Sequence, residues 1–376
     1  MELAYKEDWP RARERYEAWW QGEIVDRAVI QVIAPREPLR AGEVFDYFPE
    51  PGEPSAEELF NWFTDPQRVI PRLERRMQAM YWGGEAFPVA FPVSIRLVAI
   101  LGAYLGCPYA VFPGGNTGWA DPIIEDWEEH RPGTGQPDLA FDPDNEWWQI
   151  SKRLLEAAAK RAAGRYYVGI PDLNGPGEIV ARLRGTEELA MDLIDHPQAV
   201  KAAVAKVNAA WLRYWEACHG VVHQWIGGYT YWMGIWSESP STDLQCDFSC
   251  MISPEMFEEF FLSAIEQQTE WVGRTIYHLD GPGAVRHLDA LLGLPKLDGI
   301  QWIPGAGAPP VSEWIPLLKR IQAAGKLLVL YCEKWEVEKL LTELKPEGVL
   351  LSTTCDSLEE AEALLRNVEH WSARGG

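Results

Sequence analysis

A chain of 376 residues with 47% apolar side chains has room for one large barrel or two ordinary domains, and enough apolar material for a sizeable core. Its 56 acids against 34 Lys and Arg give a formal charge of −22, which repels nucleic acid and anionic membrane surfaces and excludes both as general partners. Met1 to Trp9 lacks the apolar core of a signal peptide, and no window long enough to span a bilayer is uninterruptedly apolar, so a cytoplasmic location is expected. Six cysteines are too sparse for a disulfide scaffold and are expected to be thiols.

In chain order, residues 8–21 predict a helix rich in Arg, Glu and Trp, and Ala28 to Ile33 is the first β-branched run, with Arg36 just beyond it. After a Pro- and Gly-broken stretch to about Gly52, Ser55 followed by Glu57 and Glu58 predicts an N-cap and helical material to about Met80. Phe87 to Ile95 is the second strand candidate. A long acidic loop is expected from Pro113 to Asp144, and loops of that length in compact domains are usually functional. A helix over 145–163 leads into a third strand, Tyr166 to Ile170, which ends at Asp172-Leu173-Asn174-Gly175.

Helical segments Glu178 to Ile194 and Pro197 to Cys218 precede a fourth strand candidate, Val221 to Ile226. The fifth to eighth are Thr275 to Leu279, Gly299 to Ile303, Leu327 to Cys332 and Val349 to Thr353. Helix starts are marked by Ser253-Pro254, Ser312 and the Ser357/Glu360 capping box. Eight strands separated by helices predict one α/β domain over residues 1–376: a single (β/α)8 TIM-type barrel with an N-terminal helical extension. No G-x-G-x-x-G follows a strand, so a dinucleotide fold gets no support.

In such a barrel the chemistry gathers at the carboxyl ends of the strands. Those positions here hold Asp172 and Asn174; His223 and Trp225, with Tyr229 close behind; His278 and Asp280; Gln301 and Trp302; Cys332 and Glu333; and Cys355. Period-two geometry points His278 and Asp280 to one side of their strand. An imidazole, a thiolate and carboxylates suit Zn²⁺ with a position left open for substrate. At the start of the final helix, Cys355 is expected to have a lowered thiol pKa. Cys332 is expected to pack, as are Cys246 and Cys250 on one helical face. His219 and His223 flank Gly220 and a β-branched pair, so helical convergence of the two rings is not expected. Most of the 19 tryptophans are expected in packing, the remainder lining a pocket for a flat or ring-shaped ligand.

The runs Asp172-Leu173-Asn174-Gly175-Pro176, Ile179 to Leu189, Asp192 to Pro197, Ser253 to Phe260 and Tyr277-His278-Leu279-Asp280-Gly281 resemble the uroporphyrinogen decarboxylase superfamily, over roughly residues 165–365. The resemblance implies a (β/α)8 barrel. It points to the branch of zinc-dependent methyltransferases that move a methyl group between a corrinoid protein and a small acceptor. That branch carries H-x-C on the fifth strand and a further Cys near the C-terminus; His278 and Cys355 match the outer positions, and Asp280 replaces the middle cysteine. The Arg-Gln-Ala-Gly-Arg run of the decarboxylases is absent, with only Arg36 near its place.

The resulting expectation is methyl transfer. His278 and Asp280 are the catalytic residues, and zinc is held by His278, Asp280, Glu333 and Cys355. Arg36, Asp172, Asn174, His223, Trp225, Tyr229, Gln301 and Trp302 bind substrate. A corrinoid protein and a second copy of the chain are the expected partners. The alternatives are a metal-free decarboxylase of a carboxylated ring held by Arg36, a non-catalytic binding barrel with Trp225, Tyr229, Tyr231, Trp232 and Trp302 as an aromatic pocket, and a glycoside hydrolase.

Overall fold

The computed structural model describes residues 3–37, 55–94, 96–111, 118–127 and 138–373. Its centre is a seven-stranded sheet. The strands are β1 (Val29–Pro35), β2 (Met80–Gly84), β5 (Ser241–Gln245), β6 (Arg274–Asp280), β7 (Gly299–Ile303), β8 (Leu327–Tyr331) and β9 (Val349–Thr354), in the order β2-β1-β9-β8-β7-β6-β5. Only β2 runs antiparallel, against β1. A separate parallel pair is formed by β3 (Val89–Ala90) and β4 (Tyr167–Val168). The strands β7 and β8 and the first half of β9 are mostly apolar and buried, as a parallel sheet covered on both faces requires.

Five of the expected strands, the first and the last four, stand where the sequence puts them. The second and third shrink to two residues each, the second between Pro88 and Pro92, which have no N–H to give a ladder. The fourth is a correction. Val221 and Val222 close the long helix Pro197–Val222, and the strand in that place in the order is Ser241–Gln245, whose five residues are all buried although most are polar. Pairings through seven strands and a separate pair make a mostly parallel α/β sheet of TIM-like layout; they do not by themselves close a barrel.

A short segment shows that the sheet curls. Trp232 stands edge-on to His278 of β6, Met233 O accepts from Tyr331 of β8, and Gly234 O accepts from Gln31 of β1. Those three strands are not neighbours, so one short stretch of chain reaches them only from inside a strongly curved surface. Ile170 N–H beyond β4 donates to Thr230 O, bringing the smaller pair alongside the same segment.

The helix Trp9–Trp20 covers the amino-terminal end of the strands. It buries Trp9, Ala12, Tyr16, Trp19 and Trp20, pairs Glu17 with Arg274 at the start of β6, and donates from the Trp20 indole to Trp236 O. Beneath it Glu85, fully buried, accepts from both terminal nitrogens of Arg27, from Arg15 and from Ile30 N–H. Of the expected acidic loop, residues 113–117 and 128–137 lie outside the described residues; Gly118–Ala120 pairs antiparallel with Tyr109–Val111. The Pro- and Gly-broken stretch before Ser55 likewise lies mostly outside them. Among the described residues no helix is long and apolar enough to cross a membrane.

Candidate metal and substrate site

Strand β6 alternates as a parallel strand must, and its half-buried positions near the carboxyl end are His278 and Asp280. In register with His278 stand Gln245 on β5 and Gln301 on β7. His278 Nδ1 lies 2.6 Å from Gln301 Oε1. An amide oxygen only accepts, so Nδ1 carries the hydrogen and Nε2 keeps its lone pair for a ligand. Gln301 is completely buried and cannot swing away to solvent.

Beyond β5 the chain turns through Asp247–Met251, and Asp247 comes back to β6. One ligand atom each from Asp247, His278 and Asp280 lies within 4.8 Å of the others, a grouping that could hold a metal ion. Two oxygens and one nitrogen form a harder set than the expected thiolate site, and suit a divalent first-row cation. His278 and Asp280 are thus brought together as period two predicts.

Cys355 and Glu333 are not in this group. Cys355 follows β9, which β7 and β8 separate from β6 in the sheet order, and it is not among the residues whose ligand atoms converge. Its N–H is tied to Ile33 O. Burial pushes its thiol up to about 11, against the lowered value expected at the start of a helix. Glu333 accompanies Glu336 in capping the turn Lys334–Glu336; it lines, with Cys332 and Thr354, a cavity of ≈ 580 Å³ over the ends of β7, β8 and β9.

Other acids collect around the three. Asp172 accepts from Asn174 N–H and from Gln245 Nε2, both at 2.8 Å. Gly175 makes this possible: any Cβ there would sit 1.8 Å from Gln245 O, so only glycine lets the Asp172–Glu178 turn lie directly on the end of β5. Burial and the neighbouring Asp243 push Asp172 up to about 7. Burial alone accounts for most of the rise of Asp243 to about 6. Burial and Asp247 push Glu178 up to about 8, and Asp247 itself is raised by burial, with Asp280 adding to the rise and His278 opposing it. Among the described residues none of the five carboxylates is paired with Lys or Arg.

Several expected substrate residues stand elsewhere. Arg36 is exposed, its guanidinium on the carbonyls of Met80 and Tyr5. Tyr229 belongs to a short strand, Tyr229–Thr230, paired with Trp236–Ser237, and His223 and Trp225 to the end of the long helix and the turn after it. There the His219 and His223 rings do approach, 5.4 Å apart, because both sit on a helix and not on a strand. His223 Nε2 contacts Gly228 O, and Trp225 is exposed beneath Lys160. Trp302 is fully buried against Trp314 and packs. Asn174, Asp172 and Gln301 are at the site, Gln301 as the partner of His278. Asp243 and Asp247 were not expected: the strand that holds Asp243 lacks apolar alternation, its polar run being the available signal, and Asp247 lies in the turn after it.

No protein-family model matches the chain, and no curated protein matches it. Solved structures do. A methyltransferase from Methanosarcina mazei superposes with a TM-score of 0.62 over 96% of this chain and 98% of its own, at 15% sequence identity. At that identity the likeness establishes a shared fold.

Proposed function

We propose that the chain is a metal-dependent methyltransferase built on a closed (β/α)8 barrel of the uroporphyrinogen decarboxylase type, acting between a corrinoid protein and a small acceptor. The observation that carries the metal is the convergence of Asp247, His278 and Asp280 within 4.8 Å at the ends of parallel strands. The methyl transfer is supported by the shared fold with a methyltransferase and by the sequence resemblance. His278 Nε2 and one oxygen from each Asp would hold the ion, zinc being the expected one, and Gln301 fixes the imidazole tautomer. A divalent cation held there would polarise the acceptor and lower its pKa. Asp172, held near neutrality by burial, is suited to take the acceptor's proton.

Decarboxylation of a polycarboxylated ring is less well supported, because Arg36, the cation expected to hold such a ring, is engaged with backbone carbonyls. The test is metal analysis of the purified chain after loading with Zn²⁺, Co²⁺ or Mn²⁺, beside Asp247→Asn and His278→Ala, followed by transfer from methylcobalamin to thiol and amine acceptors. One ion per chain, lost in both variants, is expected. Full occupancy in folded His278→Ala would remove the site.

A further inference from the structure

The cavity of ≈ 580 Å³ over the ends of β7, β8 and β9 lies in the size range of small-molecule sites, about 300–1,000 Å³. Its wall is mostly apolar: Ile303, Pro304, Pro309, Pro310 and Val311 come from the end of β7 and the chain after it, and Tyr331 from β8. The three prolines bring no N–H. Uncharged polar groups come from Ser352 and Thr354 of β9 and from half-buried Cys332, whose thiol is raised by burial and so stays protonated.

Among the described residues no Lys, Arg or His lines this cavity. Its two acids are already engaged. Buried Glu336 accepts from Ser312 N–H and from Glu333 N–H, both at 2.8 Å, and the Glu333 carboxylate accepts from Glu336 N–H. An anion placed here meets two carboxylates and no cation, and an ammonium group gives up its water for oxygens that N–H donors already hold. An uncharged body matches these walls.

The cavity also adjoins the proposed metal group. Ile303 stands in register with Asp280 on the neighbouring strand. Gly305, in the cavity wall at φ 83°, passes so close to β6 that a Cβ there would lie 3.7 Å from Gly281 Cα and 3.9 Å from Asp280 Oδ1. The loop that walls the cavity therefore runs one methyl width from a carboxylate of that group.

We propose that this cavity binds an uncharged, largely apolar molecule, the acceptor class of the proposed methyl transfer. As the acceptor the molecule rests on that reading; as a ligand of the cavity it does not.

The experiment titrates the full chain, metal-stripped and Zn²⁺-loaded, with three probes of one shape: 1-adamantanemethanol, 1-adamantanecarboxylate and 1-adamantanemethylammonium. Calorimetry and saturation-transfer NMR read the binding, in about 0.15 M salt so that the net charge of the chain is screened. The alcohol should bind at least about tenfold more tightly than either ion, since each ion loses its water without gaining a partner. Ala308→Trp, in the wall loop and outside the sheet, should abolish binding of the alcohol by filling the cavity. Thr354→Lys, at an exposed position, supplies the missing cation and should raise carboxylate binding about tenfold. Undetectable alcohol binding, binding of either ion as tight as that of the alcohol, undiminished binding in folded Ala308→Trp, or no gain in folded Thr354→Lys overturns the proposal. Alcohol binding by a chain that takes no metal would sink the methyl-transfer reading and leave the cavity's ligand standing. Methyl transfer to an ω-carboxylated thiol as fast as to the plain alkanethiol would do the reverse.

Discussion

Replacing Gln301 by Met tests the geometry of the metal site through a residue that does not touch the ion. The side chain is fully buried, in register with His278, and its Oε1 lies 2.6 Å from His278 Nδ1. Met has a similar length and volume but offers no strong acceptor, so packing is largely kept while the imidazole loses the group that fixes its tautomer and ring orientation. Loss of such a partner weakens metal binding by about 10- to 100-fold, or about 1.4–2.7 kcal/mol. Competition against a chromophoric chelator reads the change, with the Co²⁺ absorption spectrum reporting coordination and circular dichroism confirming the fold. Gln301→Glu, which keeps an acceptor, should retain affinity. An unchanged dissociation constant in folded Gln301→Met would refute the reasoning, since His278 would then not depend on its β7 neighbour.

Cys355→Ser should leave metal affinity within about twofold, because the thiol lies outside the Asp247, His278 and Asp280 group; a loss as large as that for His278→Ala would return Cys355 to the site. Glu85→Ala should cost about 3–5 kcal/mol in urea unfolding, since it strands the buried Arg27 charge and orphans Ile30 N–H; a loss below about 1 kcal/mol would contradict the role given to that ion pair. Asp172 has a folded pKa raised above its unfolded value, so its stabilising proton is held below about pH 4 and lost as pH rises toward about 7. Asp172→Asn should therefore gain stability over the metal-free wild type at pH 8 relative to pH 5. The opposite trend of buried His219, whose pKa is lowered by burial, cancels in that difference. A melting-temperature difference independent of pH would remove the linkage. Gly175→Ala should fail to fold natively or lose metal binding, because its Cβ would occupy the position of Gln245 O; native stability in that variant would show that the Asp172–Glu178 turn is not pressed on β5.

The parts of the fold that could be read from the chain are those where burial writes a period. Leu327–Tyr331 and the first half of Val349–Thr354 are continuous apolar runs, and a short run buried on both faces suits a parallel strand. Ser241–Gln245 carries no such signature. Its polar side chains are buried because they face the interior groups of the sheet, and a local reading assigned the nearby β-branched pair Val221-Val222 to the strand, although both close a helix.

The sequence by itself determined that His278 and Asp280 share one side of a strand end, because alternation along a strand is a property of two residues and nothing else. It also determined the acidic character of the chain and the parallel strand-helix rhythm of its second half. Only the tertiary structure decided the third member of the group. Asp247, in the turn after β5, comes within reach of His278 on β6, while Cys355, which the sequence resemblance offered, is not among the converging ligand atoms. Which residues meet around an ion is set by the pairing of distant strands and the turns that follow them, and that pairing is written in long-range packing and not in local spacing.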